Sequence, residues 1–158
     1  LAQLANCERL ALSTNSIDKI MPLTGMSKIK ILSLARNQIK KIEKLEDVAG
    51  TLEELWLSYN AISTLDGVSA LTNLTTLYLS NNIIKSWSEL EKLQSLENLK
   101  DVLFFGNPIY DDLTKEQCRI EVLKKLPNLT KIDGDMVKPA EREQAQDELN
   151  AGTARTNE

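Results

Sequence analysis

The 158-residue sequence predicts an α/β solenoid: short parallel strands line a concave face, short helices return along the convex face, and a helical cap closes the C-terminal end. Three observations predict it. A pattern of three apolar residues followed by asparagine recurs five times. The stretches between carry apolar residues three apart. Both give way after Asn107 and Pro108 to one amphipathic segment and a turn.

The clearest unit holds Leu52, Leu55, Leu57, Asn60 and Ile62, which spell L-x-x-L-x-L-x-x-N-x-I, the strand-and-turn core of a leucine-rich repeat. Leu55 and Leu57 alternate with Trp56, so a strand sends the leucines to one face and the tryptophan to the other. The asparagine stands where the chain leaves the strand, and its carboxamide can pair turn backbone that would otherwise be buried unsatisfied. The same frame holds Leu10, Leu12, Asn15; Leu32, Leu34, Asn37; Leu77, Leu79, Asn82; and Val102, Phe104, Asn107, with asparagines 22, 23, 22 and 25 residues apart. A single unit cannot bury its apolar edge; stacked units share a continuous core.

The return halves place Ile20, Ile42, Leu65 and Trp87 five residues after the asparagine, with further apolar residues at spacings of three. That spacing predicts 3₁₀ or short helical turns. The fourth return is longer, and Ser88 with Glu91 three residues on reads as a capping box opening a full α-helix. Repeats are expected near 7–28, 29–51, 52–73, 74–98 and 99–110. An amphipathic helix from Thr114 to Leu126, with Cys118, Val122 and Leu123 near one face, opens a cap over 111–134 that ends at the Asp133–Gly134 turn. These make one domain, 1–134. A terminal helix is expected over 135–149 and a disordered tail over 150–158. No polar cap precedes Leu4, so a capping segment ahead of Leu1 is expected.

Composition narrows the function. The net charge of −4 argues against a nucleic-acid partner, whose phosphates call for a basic surplus. No apolar run approaches a membrane span, so no membrane partner is expected. With no histidine, no phosphate loop and no nucleophile elbow, the chain reads as a non-enzyme that calls for no cofactor and no metal. Asp111 with Asp112, and Asp133 with Asp135, read as a solvated loop and a structural turn. Cys7 and Cys118 lie too far apart along the solenoid to bridge and are expected as free thiols.

The informative surface is the strand face opposite the leucines. Trp56, Tyr78 and Leu103 hold equivalent positions on neighbouring strands, roughly 5 Å apart, with Ile31, Arg36, Tyr59 and Phe105 around them. Contiguous exposed aromatics are what a protein-binding hot spot needs. Lys19, Lys40 and Lys41, with Lys85 equivalent to Lys40, form a basic edge suited to an acidic partner surface.

The stretches Thr51–Asn60, Leu10–Asn15, Leu77–Asn82 and Leu126–Gly134 resemble the axonemal (outer-arm) dynein light chain 1 family of leucine-rich-repeat proteins. The resemblance runs from residue 4 to about 145. It implies a light chain that docks on a dynein heavy chain at the microtubule-binding tip of its stalk, through the sheet face. It also implies a place near tubulin in the cytoplasm and cytoskeleton of a cilium or flagellum axoneme. A terminal helix with a heavy-chain contact is implied as well, and the chain is similar to the family there at Glu141, Arg142 and Glu143, which makes Arg142 a candidate; the segment Asp135–Lys138 departs from the family. The same repeat class and cap occur in a leucine-rich regulator of protein phosphatase 1 and a spliceosomal leucine-rich subunit, the two alternative readings.

Overall fold

Alternation within each repeat decides the architecture. The computed structural model, which describes residues 4–156, has strands β1 (Arg9–Ala11), β2 (Ile31–Ser33), β3 (Glu54–Trp56), β4 (Thr76–Tyr78), β5 (Asp101–Leu103), β6 (Lys131–Ile132) and β7 (Asp135–Met136). They form one sheet in chain order, parallel from β1 to β6, with β7 antiparallel to β6. The register sets Leu10, Leu32, Leu55, Leu77, Val102 and Ile132 side by side, and from Leu32 onward this row is fully buried. The return halves bury Ile20, Leu23 and Met26, then Ile42, Leu45 and Val48, then Leu65, Val68 and Leu71. In the first repeat Leu10, Leu12 and Ile17 are only partly buried.

The convex side consists of 3₁₀ segments at Glu46–Val48, Val68–Ala70, Trp87–Leu93 and Pro108–Tyr110. The expected α-helix in the fourth repeat is one of these. Its cap is Ser86, whose hydroxyl accepts from the Ser88 amide, two residues before the serine singled out from sequence. A one-strand-per-repeat stack leaves each return little axial room, and the tighter helix fits it.

Asparagine ties the repeats together. Asn82 Nδ2 donates to the carbonyls of Leu79 (3.0 Å) and Ser80 (3.4 Å) in its own repeat and Leu57 (3.0 Å) in the one before. Its Oδ1 accepts from Ile62 N of that preceding repeat at 3.0 Å. Asn37, Asn60 and Asn107 repeat the arrangement. To aim the carboxamide back, the residue before it adopts a left-handed conformation every time: Thr14, Arg36, Tyr59, Asn81 and Gly106, with φ between 57° and 81°. Such geometry costs about 1–3 kcal/mol for most side chains. At Gly106 a Cβ would also stand 2.4 Å from Asn81 Oδ1, so glycine is required there.

The C-terminal cap closes on two charged groups. Helix α1 (Lys115–Lys125) starts at Thr114 with a reciprocal capping box to Gln117 and buries Cys118, Val122 and Leu123. Cys7 and Cys118 are both free thiols. Asp133 Oδ1 accepts from Phe104 N (2.7 Å) and Phe105 N (3.1 Å), and its Oδ2 accepts from the Tyr110 hydroxyl at 2.7 Å. Arg119, 5% exposed, donates to the Ile132, Asp135 and Met136 carbonyls and to both oxygens of Glu141. It thereby joins α1 to the last hairpin and to helix α2.

Helix α2 runs Pro139–Thr156, and this corrects two expectations. Asp135–Met136, expected in the helix, is strand β7. The segment from Asn150, expected as disordered tail, continues the helix, with Asn150 accepting from Gln146 one turn back. Residues 1–3 of the expected domain and 157–158 of the expected tail lie outside the described residues.

Two stability measurements test this account. Asn82→Ala strands buried backbone groups in two repeats and should cost about 3 kcal/mol in urea unfolding, while Asn15→Ala, at the exposed end, should cost about 1 kcal/mol or less. Arg119→Met leaves Glu141 unpaired beside buried carbonyls and should cost about 3 kcal/mol. The Arg119 guanidinium holds the Glu141 carboxyl below its ordinary value. That contribution is therefore complete above about pH 4.5 and is lost as pH falls through the depressed value. The acid limb of the stability profile should flatten in Arg119→Met.

Candidate functional site

The concave face is built from the residues the core does not use. Register places Trp56 beside Tyr78 and Tyr78 beside Leu103, as the repeat spacing predicts. The row begins with Ala11 and Ser33, whose small side chains leave room on the β2 side of the indole. Trp56 and Tyr78 stack with ring centroids 5.9 Å apart and planes inclined by 25°. Arg9 reaches across from β1 to set its guanidinium 5.2 Å from the Trp56 ring centroid. The Tyr78 hydroxyl donates to Asp101 Oδ2 at 2.9 Å. Burial first, then the Asp101 hydrogen bond, push the Tyr78 phenol up to about 12, with the Asp101 and Glu54 charges adding to it. One row on, the Ser80 hydroxyl donates to Ser58 Oγ at 2.8 Å and fills the floor with small side chains.

Several sequence candidates meet on this strip. Ile31, Trp56, Tyr78 and Leu103 are half-buried on adjacent strands. Phe105 is 43% exposed at the C-terminal edge, where it lines a recess of about 270 Å³ with Tyr110, Leu113, Lys115, Cys118 and Asp133. Arg36 and Tyr59 occupy left-handed positions at the strand exits, so they stand on the rim and not on the floor. They pair there, guanidinium 4.2 Å from the ring centroid. The stacked arginines are cations already held by aromatic faces.

Other candidates lie elsewhere. Arg142 is on α2 and half-buried, and its two terminal nitrogens donate to the carbonyls of Pro127 and Leu129. Its visible work is to latch α2 onto the cap. Lys19, Lys40 and Lys41 are exposed on the first two repeats, while Lys85 is two repeats beyond Lys40 with Ser63 at the position between. The basic edge is therefore concentrated at the N-terminal end.

Three polar atoms on or beside the strip are buried with no hydrogen-bond partner: Trp56 Nε1, Asn81 Nδ2 and Asp101 Oδ1. Sequence reasoning missed the Asp101–Tyr78 bond and the Arg9 contact; the small Ala11 and Ser33 ahead of Trp56 were the available signal. Among the described residues no group of His, Cys, Asp or Glu is disposed to hold a metal, and no helix is long and apolar enough to cross a membrane. What the strip offers is rigid contact area with charge at its margins.

Comparison with known proteins places this surface in context. A family model described as "Leucine Rich repeats (2 copies)" matches residues 51–92. Dynein axonemal light chain 1 of Chlamydomonas reinhardtii is 54% identical over 149 residues, covering 92% of this chain and 75% of that one. The protein of that name from Danio rerio is 49% identical, covering 90% and 75%, and that from Homo sapiens 47%, covering 91% and 76%. Among solved structures, the Drosophila melanogaster SNF/U2A' complex holds a chain that superposes with a TM-score of 0.76 at 24% identity, covering 93% of this chain and 90% of that one. At that identity the likeness shows the fold alone.

The strip's internal bonding can be read by absorbance. A pH titration of tyrosinate should show a component ionising near pH 12 that disappears in Tyr78→Phe. The sign follows from burial and an adjacent carboxylate, both of which favour the neutral phenol.

Proposed function

The chain belongs to the axonemal dynein light chain 1 family, and from that we propose that it is a non-catalytic, protein-binding light chain of a ciliary outer-arm dynein. It docks on a dynein heavy chain through the concave sheet face, at the microtubule-binding tip of the stalk, and regulates the contact between motor and microtubule. Its place is the axoneme of a cilium or flagellum.

The observation that carries this reading is the open aromatic strip. Helix α2 is held on the cap against α1 by Glu141 and Arg142, so it leaves Tyr59 and Phe105 exposed, at 45% and 43%. Trp56 and Tyr78 are stacked before any partner arrives, so little side-chain entropy remains to be lost on docking. The Lys19, Lys40 and Lys41 edge gives the acidic surface of tubulin a face to approach, and its effect belongs to association rate more than to affinity. The solved chain of the SNF/U2A' complex shares the fold at 24% identity, whereas the axonemal light chains of Chlamydomonas reinhardtii and Homo sapiens reach 54% and 47%.

The double change Trp56→Ala, Tyr78→Ala should leave a cooperatively folding protein, since the stack is worth about 0.5–1.5 kcal/mol. It should lower capture of a recombinant stalk tip by about 30-fold or more, the loss expected for a central aromatic anchor. Undiminished capture by the folded variant would move the site off the concave face. Charge reversal at Lys40 and Lys41 should instead weaken the salt dependence of microtubule association, with a smaller loss of affinity.

A further inference from the structure

The concave face also carries carboxylates that no ion pair among the described residues engages. Glu54 and Asp101 share one lateral row, with Thr76 between them on β4. Two strand spacings separate their Cα atoms, roughly 10 Å. The next row on the same face is the Trp56–Tyr78 stack, so the two carboxylates stand along its side. Asp101 Oδ2 accepts from Tyr78, but Oδ1 is buried with no partner. Among the described residues the six ion pairs use neither Glu54 nor Asp101, and Lys131, next to Asp101 in the register, stays outside ion-pair distance.

A half-buried carboxylate without a cation is unfavourable, and two beside an aromatic stack attract a cation through both Coulomb and ring-quadrupole forces. The chain holds an internal precedent in Arg9, whose guanidinium already lies over Trp56. Arg9 and Arg36 originate on the first two repeats, whereas Glu54 and Asp101 lie on β3 and β5. The face is thus basic at its N-terminal margin and acidic across β3 to β5, with Lys131 of β6 following beyond Asp101.

We propose that a lysine or arginine side chain of the docked heavy-chain segment seats above Thr76 between Glu54 and Asp101, its stem on the Tyr78 ring, and so fixes which way that segment lies across the sheet. The proposal rests on the concave-face docking described above. A guanidinium suits the position best, because its five N–H donors form a planar fork that can serve both carboxylates at once. Reversing the segment would bring that cation against Arg9 and Arg36 and leave the carboxylates bare, so the charge pattern selects one polarity.

The test uses the full chain and the recombinant stalk tip of an outer-arm heavy chain from Chlamydomonas reinhardtii, titrated at low and high salt. Three forms are compared: the parent, Glu54→Gln with Asp101→Asn, and Trp56→Ala with Tyr78→Ala. The carboxamide variant keeps the shape of the face, and its melt should be at or above that of the parent. Its affinity should fall about 30-fold, with a reduced salt dependence. Changing each lysine and arginine of the stalk tip to glutamine in turn should find one position that matters for the parent and not for the carboxamide variant. Parent-like binding by the carboxamide variant, with loss of binding by the aromatic variant, would overturn this proposal and leave concave docking standing. Parent-like binding by the aromatic variant would overturn the docking reading itself.

Discussion

The structure depends on a carboxamide that bridges two repeats. Each of Asn37, Asn60, Asn82 and Asn107 donates to a carbonyl of its own repeat (leucine in the first three, Phe104 for Asn107) and to a leucine carbonyl of the repeat before, and accepts a backbone N–H from the latter. These groups sit where the strand ends and water is excluded, so each would cost about 1–3 kcal/mol unpaired. No other side chain has a donor and an acceptor on one short planar fork without charge. The left-handed residue that precedes each asparagine is a consequence: the backbone accepts strain so that the carboxamide can turn back.

At the C-terminal end the ladder has no next repeat to engage, and charge takes over. The Asp133 carboxylate accepts the Phe105 amide and the Phe104 amide, whose counterparts at Leu34, Leu57 and Leu79 donate to a carbonyl of the next strand, and the Tyr110 hydroxyl completes it. Arg119 then satisfies the carbonyls of the final hairpin and holds Glu141 at the start of α2. A lone buried guanidinium would be very unfavourable, but this one makes five acceptor contacts, with three carbonyls and one carboxylate. The cap is therefore as dependent on polar pairing as the repeats are on packing.

The concave face is what remains once these needs are met. Strand alternation removes every second side chain from the core, and those side chains are free to carry recognition. Trp56 and Tyr78 use that freedom to form a preassembled stack, with Arg9 over one ring and Asp101 bonded to the other. The chemistry of the face is thus separable from the stability of the solenoid, which suits a scaffold whose repeats resist change while its surface adapts.

Much of this was legible in sequence. The period of the asparagines determined the solenoid, the parallel strands and the lateral row of Trp56, Tyr78 and Leu103, because a repeated local pattern can stack in only one register. The apolar spacing between Thr114 and Leu126 announced α1, and the structure adds the reciprocal Thr114–Gln117 cap that starts it. Tertiary structure alone decided the rest. Glu54 and Asp101 are 47 residues apart in the chain and share one face only because β3 and β5 stack on either side of β4. Arg119 gives no sign of burial in the sequence; β6, β7 and α2 surround it with acceptors only in the fold. Arg142, a candidate partner contact from the resemblance, also donates to two cap carbonyls that only the folded chain brings to it. Local periodicity fixes which face a residue takes; what stands opposite it depends on contacts between segments far apart in the chain, and those exist only in the folded molecule.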